Sequence, residues 1–453
     1  MLYKKSGMSP QELKSTVSLS LVFVFRMFGL FMVLPVLVLY SEDLQGATPA
    51  LAGFAIGAYG LTQAALQIPF GWMSDRFGRK PVIIAGMMIF MLGSLVAAQA
   101  DSIYGVIFGR ILQGSGAVSG AVTALLADLT REQYRTRAMA VFGISIGFSF
   151  CIAMLLGPLF ASWWGLEGLF GSNAVMAGLS ILILLFMVPT PVVTRTDLNT
   201  KVSIKDVGNV VGNPEMLRLM AGIFTLHFTL MALFVFLPQM LEDILGMARE
   251  KHGWIYVVAL SVSFVMIVPV IIFSEAKRRL KQCFVGAVTV LLAAIAGMWR
   301  VESVLLGIFL FFAAFNFLEA TLPSLVSKLS SAGTRGTSMG VYSTSQFLGA
   351  ALGGSLGGLA FQYWGATGVM MVCAIPTALW WLLSVTMKQP PYVSSMVMAL
   401  DSSMSLDARA IGRELAIIPG VEEVTVLDSE RTAYLKVDRK IVDMAALRQY
   451  GEC

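Results

Sequence analysis

From about residue 15 to residue 387 the chain is a succession of apolar runs, each near 20 residues or longer and each closed by a few charged positions. A segment of that length and polarity matches the hydrocarbon core of a bilayer. Only 13% of the 453 residues are charged, about half the share of a soluble domain. Most of the apolar surface must therefore face lipid. The runs show no period-two alternation, which excludes a barrel and predicts helices. Spans are predicted near 15–40, 48–73, 81–99, 102–126, 137–163, 168–189, 216–241, 253–274, 282–299, 303–327, 336–362 and 366–387. The expected fold is an all-α membrane protein with twelve transmembrane helices.

Basic residues set the orientation. They gather before the first span (Lys4, Lys5, Lys14) and after the second (Arg76, Arg79, Lys80), fourth (Arg131, Arg135, Arg137), sixth (Arg195, Lys201, Lys205, Arg218), eighth (Lys277, Arg278, Arg279, Lys281) and tenth (Lys328, Arg335). The opposite connections hold only Arg249, Lys251 and Arg300. Both termini are therefore expected in the cytoplasm. The net charge of +5 is spread over these loops and forms no continuous patch, which argues against a nucleic-acid partner. The cysteines (Cys151, Cys283, Cys373, Cys453) have no metal-ligand spacing. No metal and no cofactor is expected. The first run is too long for a cleavable signal core.

The spans divide six and six around a loop at 191–214, with halves at 1–190 and 215–390. An offset of 200 residues relates Pro69 to Pro269, Ser74-Asp75 to Ser274-Glu275, Arg79 to Arg279, Arg135 to Arg335, Met139 to Met339 and Gly157 to Gly357. Two parallel six-helix repeats imply a ligand site between the halves near the midplane. Past Pro390-Pro391 the composition turns polar. Residues 391–453 read as a small cytoplasmic α+β domain in β-α-β-β-α order, ferredoxin-like but without its closing strand. The expected elements are strands at 395–400, 421–427 and 432–437, helices at 406–418 and 441–450, and a turn at 428–431.

Gly71-Trp72-Met73-Ser74-Asp75-Arg76-Phe77-Gly78-Arg79-Lys80 resembles the loop signature of the major facilitator superfamily, with seven positions matching at fixed spacing. Gly71 and Gly78 allow tight turns, and Asp75 can be held by guanidinium groups. The resemblance implies that Asp75, Arg76 and Arg79, with Asp128, form a conformational latch. Gly109-Arg110-Ile111-Leu112-Gln113-Gly114 resembles the fourth-span motif of the same superfamily, in which the Arg is linked to proton coupling. The alternative is an Arg110 that snorkels to an interface while the glycines pack. Gly157-Pro158 partly resembles the fifth-span motif of antiporters, though Ala153, Ala161 and Ser162 depart from it. The chain also resembles a bacterial branch of the superfamily assigned to drug/proton antiport. That resemblance runs through 32–37, 315–328, 341–349 and 390–395, and that branch carries the same small C-terminal domain. It implies a bacterial inner-membrane location.

Few polar groups lie at depth: Arg26, Gln63, Gln67, His227, Asn316 and Glu319. An ionisable residue within a span is a functional candidate. Glu319 is the expected proton carrier, with His227, Arg26 and Arg110 as coupling partners and Gln63, Gln67, Gln113 and Asn316 lining the cavity. For each, a structural bond between helices is the alternative. Tyr40, Trp299 and Trp380 are expected as interfacial anchors. The tail resembles the heavy-metal-associated fold through Pro419-Gly420-Val421-Glu422-Glu423-Val424 but lacks its CxxC, so a regulatory, small-ligand or structural role stands instead of metal carriage. The expected activity is proton-coupled efflux of small amphipathic compounds by a monomer in the bilayer. A proton-coupled importer and a membrane sensor are the alternatives. No constellation for an enzyme is present.

Overall fold

The computed structural model describes residues 7–190, 204–330, 334–400, 408–427, 432–438 and 440–452. In the first half, helices α1 (Pro10–Phe31), α2 (Leu37–Tyr40), α3 (Pro49–Phe77), α4 (Arg79–Ala98), α5 (Ile103–Ser115), α6 (Ser119–Asp128) and α7 (Glu132–Phe186) follow one another. The second half holds α8 (Ile204–Gly212), α9 (Pro214–Asp243), α10 (His252–Ala276), α11 (Leu280–Met298), α12 (Val304–Leu329) and α13 (Arg335–Val385). Nine helices among the described residues are long and apolar enough to cross a membrane. At 1.5 Å per residue, α7 would be about 80 Å long and α13 about 75 Å, each far more than one crossing of about 30 Å. Each turns on a glycine with left-handed backbone: Gly165 (φ 61°, ψ −164°) and Gly365 (φ 59°, ψ −150°).

Those two glycines are 200 residues apart, and the repeat extends into the packing. A Cβ on Gly157 would lie 2.5 Å from the Met32 carbonyl oxygen, and one on Gly357 would lie 2.7 Å from the Ala232 Cα. Both partners of each contact thus shift by 200. Gly78 (φ 95°) and Arg278 (φ 53°) hold equivalent turns, and Arg278 is the only non-glycine with positive φ among the described residues.

The structure corrects several boundaries. The run expected at 15–40 is helical only to Phe31 and turns through 32–36 before α2. The run at 102–126 is interrupted between Ser115 and Ser119, where Gly116 (φ −77°, ψ 58°) leaves helical geometry. Gly116 lies so close to α4 that a Cβ there would sit 2.3 Å from the Gly86 carbonyl oxygen. The 191–214 loop contains α8, begun at Ile204. Trp380 is buried rather than interfacial, because it packs over Gly222 and edge-on to Phe284.

The tail forms β1 (Ser394–Leu400), α14 (Ala408–Ile417), β2 (Val421–Leu427), β3 (Thr432–Val437), α15 (Met444–Leu447) and β4 (Gly451–Glu452). The sheet order is β2-β3-β1-β4, antiparallel throughout. The closing strand expected to be missing is present as two residues, pairing Ala399 with Glu452 and Leu400 with Gly451. The last helix is four residues rather than ten, since Asp443 caps it through Ala445 and Ala446 and Tyr450 already leads into β4. Met398, Leu415, Leu435 and Leu447 form its core. The expected turn at 428–431 lies outside the described residues.

Candidate functional site

A cavity of about 2550 Å³ runs between the halves from the bundle centre to the end that carries the tail. Phe31, Tyr59, Met231 and Phe315 line its inner part, and Asp75, Arg79, Gly336 and Tyr434 line its mouth. The opposite end is sealed by close backbone contact between α3 and α13. Cβ atoms on Gly53 and Gly57 would lie 2.5 Å from the Gly354 and 2.3 Å from the Ala351 carbonyl oxygens. Only glycine lets two helices approach so closely.

Three elements bring polar groups to the cavity wall, two of them titratable. His227 stands on α9, Glu319 on α12 and Gln346 on α13. The Gln346 amide nitrogen lies 2.8 Å from His227 Nε2 and donates to Glu319 Oε1 at 3.3 Å. With the amide in this orientation, His227 Nε2 accepts, so the neutral ring carries its proton on Nδ1. That atom lies 3.8 Å from Glu319 Oε2, and among the described residues neither has a side-chain hydrogen-bond partner. Tyr342 and Asn316, also on the wall, each leave a buried polar atom unpartnered among the described residues. Buried polar groups are ordinarily paired, so this cluster presents free donors and acceptors to a ligand.

Arg26 is fully buried and sits elsewhere. Its guanidinium donates to Gln63 Oε1 at 2.6 Å, to the Ser119 hydroxyl at 3.0 Å and to the Gly116 carbonyl at 3.0 Å. The broken helix between α5 and α6 supplies that carbonyl, which a continuous helix would have used internally. Gln63 then donates to Gln67 at 2.9 Å, and Gln67 reaches the cavity. Arg110 does not snorkel. It is fully buried, bonded to Gln113 Oε1 at 2.9 Å and stacked over Tyr59 at 4.8 Å. Gln67 and Asn316 line the cavity, while Gln63 and Gln113 stand behind its wall because their amides hold the two guanidinium groups.

At the tail end, Arg79 is ion-paired with Asp75 and donates to Asp128 at 2.9 Å. Gly78 makes the turn that aims Arg79 back at both carboxylates. Arg76 points away, over Trp72 and Phe77, and Gly71 has open space where a Cβ would be. All of these lie on the first half. Gly157 packs on the broken end of α1, and Pro158 lies inside α7.

Arg249, read from sequence only as a loop base, holds the far end across the halves. It pairs with Glu242 at 2.9 Å in its own half. In the first half it contacts the Leu39 carbonyl (3.4 Å), Glu42 (3.7 Å) and the Tyr40 ring (5.5 Å). Gln346 and Tyr342 carry only a weak signal in the sequence. Their signal was an i, i+4 polar pair within an apolar span.

The sequence pattern of the Major Facilitator Superfamily matches residues 19–354. The chain belongs to this superfamily. It is 45% identical over 449 residues to the inner membrane transport protein YajR of Escherichia coli, covering 98% of each chain. It is 28% identical to the multidrug resistance protein MdtH of Aeromonas salmonicida, covering 73% of this chain and 82% of that one. Among solved structures it resembles a D-xylose-proton symporter (TM-score 0.69, 14% identity, 83% and 97% coverage). It also resembles the human organic anion transporter MFSD10 (TM-score 0.62, 18% identity, 83% and 100% coverage). At those identities the structures share the fold. The chain is therefore a membrane-embedded transporter of small molecules and not an enzyme.

Proposed function

We propose that this transporter is a proton-coupled antiporter that exports small amphipathic compounds by alternating access. The observation that carries this is the His227–Glu319–Gln346 cluster on the cavity wall, where His227 Nδ1 and Glu319 Oε2 have no side-chain partner among the described residues. A proton on Glu319 removes a charge from an apolar cavity. A proton on His227 Nε2 removes the acceptor that Gln346 uses, so the amide must release one partner. Either event changes which groups a ligand meets, and differential interaction with two states is what shifts their populations. Phe31, Phe150 and Phe315 beside this cluster suit an amphipathic ligand. The relation to MdtH, a multidrug resistance protein, favours export.

In this reading α7 and α13 each cross twice and α5–α6 once, making twelve crossings as two six-helix repeats, 1–190 and 215–390, around the 191–214 connection. Residues 391–453 form a separate domain. The basic loops support cytoplasmic termini in a bacterium, and the kinship with YajR supports an inner-membrane location. The chain acts as a monomer. The cavity then faces the cytoplasm. Asp75, Arg79 and Asp128 are held ready for the second half and latch when that side closes. Arg26 and Arg110 tie α1, α3, α5 and α6 into one moving body, and Gly157-Pro158 seats α7 on α1.

The test is transport in inverted vesicles with an internal pH dye, for wild type and Glu319→Gln. Proton movement on adding a transported cationic dye should disappear in the variant while ligand binding persists. Retained proton movement sinks the coupling role of Glu319. Exchange of solute for protons should alkalinise the vesicle lumen; acidification would mean that solute and proton move together and would overturn antiport.

A further inference from the structure

The C-terminal sheet domain is bolted to the second half. Arg278 Nη2 pairs with both Asp438 oxygens at 2.5 and 2.7 Å, from a loop residue with left-handed backbone. Lys440 donates to the Ala276 carbonyl at 3.0 Å, and Lys436 donates to the Ser330 carbonyl at 2.5 Å. Those carbonyls lie at the C-terminal ends of α10 and α12, where the helix dipole favours a cation. The Tyr392 hydroxyl accepts from the Leu280 amide at 3.0 Å beneath the Arg278 guanidinium. Four separate contacts with helix ends fix both the position and the tilt of the sheet.

That tilt has a consequence at the cavity. Thr425 on β2 and Tyr434 on β3 are register partners, and both line the cavity mouth. Their neighbours there include Val207 of α8 and Gly336 and Gly340 of α13, and Asp75 and Arg76 of the first half stand on the same cavity. We propose that the C-terminal domain is a wall of the translocation path: the Thr425–Tyr434 face is an outer contact surface that solutes pass between the tail-side solution and the Glu319 cluster. Tyr434 offers an aromatic face, and Thr425 offers a methyl and a hydroxyl. Both suit amphipathic solutes. The Arg278–Asp438 pair and the two lysines act as positioning residues that hold this face at the mouth. The domain thereby screens solutes by size and chemistry before they reach the inner cavity. This inference rests on the reading of the cavity as a transport path, and on neither proton coupling nor direction.

Cys151 provides the test, because it lines the cavity between the halves. In the full chain, Cys283, Cys373 and Cys453 are replaced by serine. Membrane vesicles with the tail side outward are treated with a bulky membrane-impermeant fluorescein maleimide. A small impermeant trimethylammonium methanethiosulfonate is used in parallel. Tyr434→Ala and Asp438→Ala should speed modification of Cys151 by the bulky reagent about threefold or more. Tyr434→Trp should slow it, and the small reagent should react at the wild-type rate throughout. Unchanged bulky-reagent rates in all three variants overturn the proposal. Equal acceleration of both reagents also overturns it, since that reports general loosening. Because no transported substrate is used, the outcome is independent of the Glu319→Gln experiment.

Discussion

Gly57→Ala separates a moving seam from a permanent one. The new Cβ would lie 2.3 Å from the Ala351 carbonyl oxygen and 2.6 Å from Ser355 Oγ. The serine can rotate away, but the carbonyl belongs to the backbone of α13. Restoring ordinary contact requires α3 and α13 to part by about 1 Å. Overpacking of that kind costs about 1–3 kcal/mol. The contact spans the two halves, so the molecule escapes the cost by opening at this end and closing at the tail end. The ratio of the two states should then shift by about 5- to 150-fold. The assay is the rate of Cys151 modification by an impermeant thiol reagent added from each side. Tail-side reactivity should fall and far-side reactivity should rise, with little change in Tm. Gly353→Ala is the control. Its Cβ would lie 2.1 Å from the Phe228 carbonyl oxygen, inside the second half, and no movement of the halves relieves it. That variant should lose stability with sidedness unchanged. If Gly57→Ala instead lowers Tm as Gly353→Ala does and leaves sidedness alone, the α3–α13 contact is a fixed core and the gating argument fails.

Arg249→Ala should bias the transporter the same way by about fivefold. It removes a partly exposed clamp worth about 1 kcal/mol, and added salt should weaken the wild-type clamp but not the variant; spin-label distances across the far end would measure both. The tail should stay docked at neutral pH and release only in strong acid. The Lys440 amide and then the Arg278 guanidinium hold the Asp438 carboxyl below its ordinary range, so its stabilisation is present above the unfolded value and lost as pH falls through the folded one. Protease sensitivity of the 386–394 connection against pH should show this step, and Asp438→Asn should abolish it. In a double-mutant cycle, Arg278→Ala and Asp438→Ala should couple by about 1 kcal/mol in the thermal release of the tail, since the arginine is about one-third exposed.

The membrane fold was legible because its causes are local. Apolar length, loop charge and the 200-residue offset are one-dimensional properties, and each reflects a constraint that lipid imposes on every span separately. The tail strands were legible for the same reason, through alternation and the Pro419-Gly420 turn. Glu319 and His227 also stood out, because polarity at that depth is rare. What they do together was not legible. Gln346 joins them only because glycines at 349 and 353 draw α13 onto α9, which fixes the rotation of that helix. Gln63 and Gln113 could not be told from Gln67 by sequence. The difference is whether a guanidinium lies within reach, and Gly116 decides that by breaking the helix between α5 and α6. The sequence by itself determined that the chain is a bundle of apolar membrane helices with an acid inside. Only the tertiary structure decided which end is open, which amides hold arginines, and that Thr425 and Tyr434 stand at the mouth. Those outcomes depend on close contacts between segments far apart in sequence, where one missing Cβ sets the distance at which two helices meet.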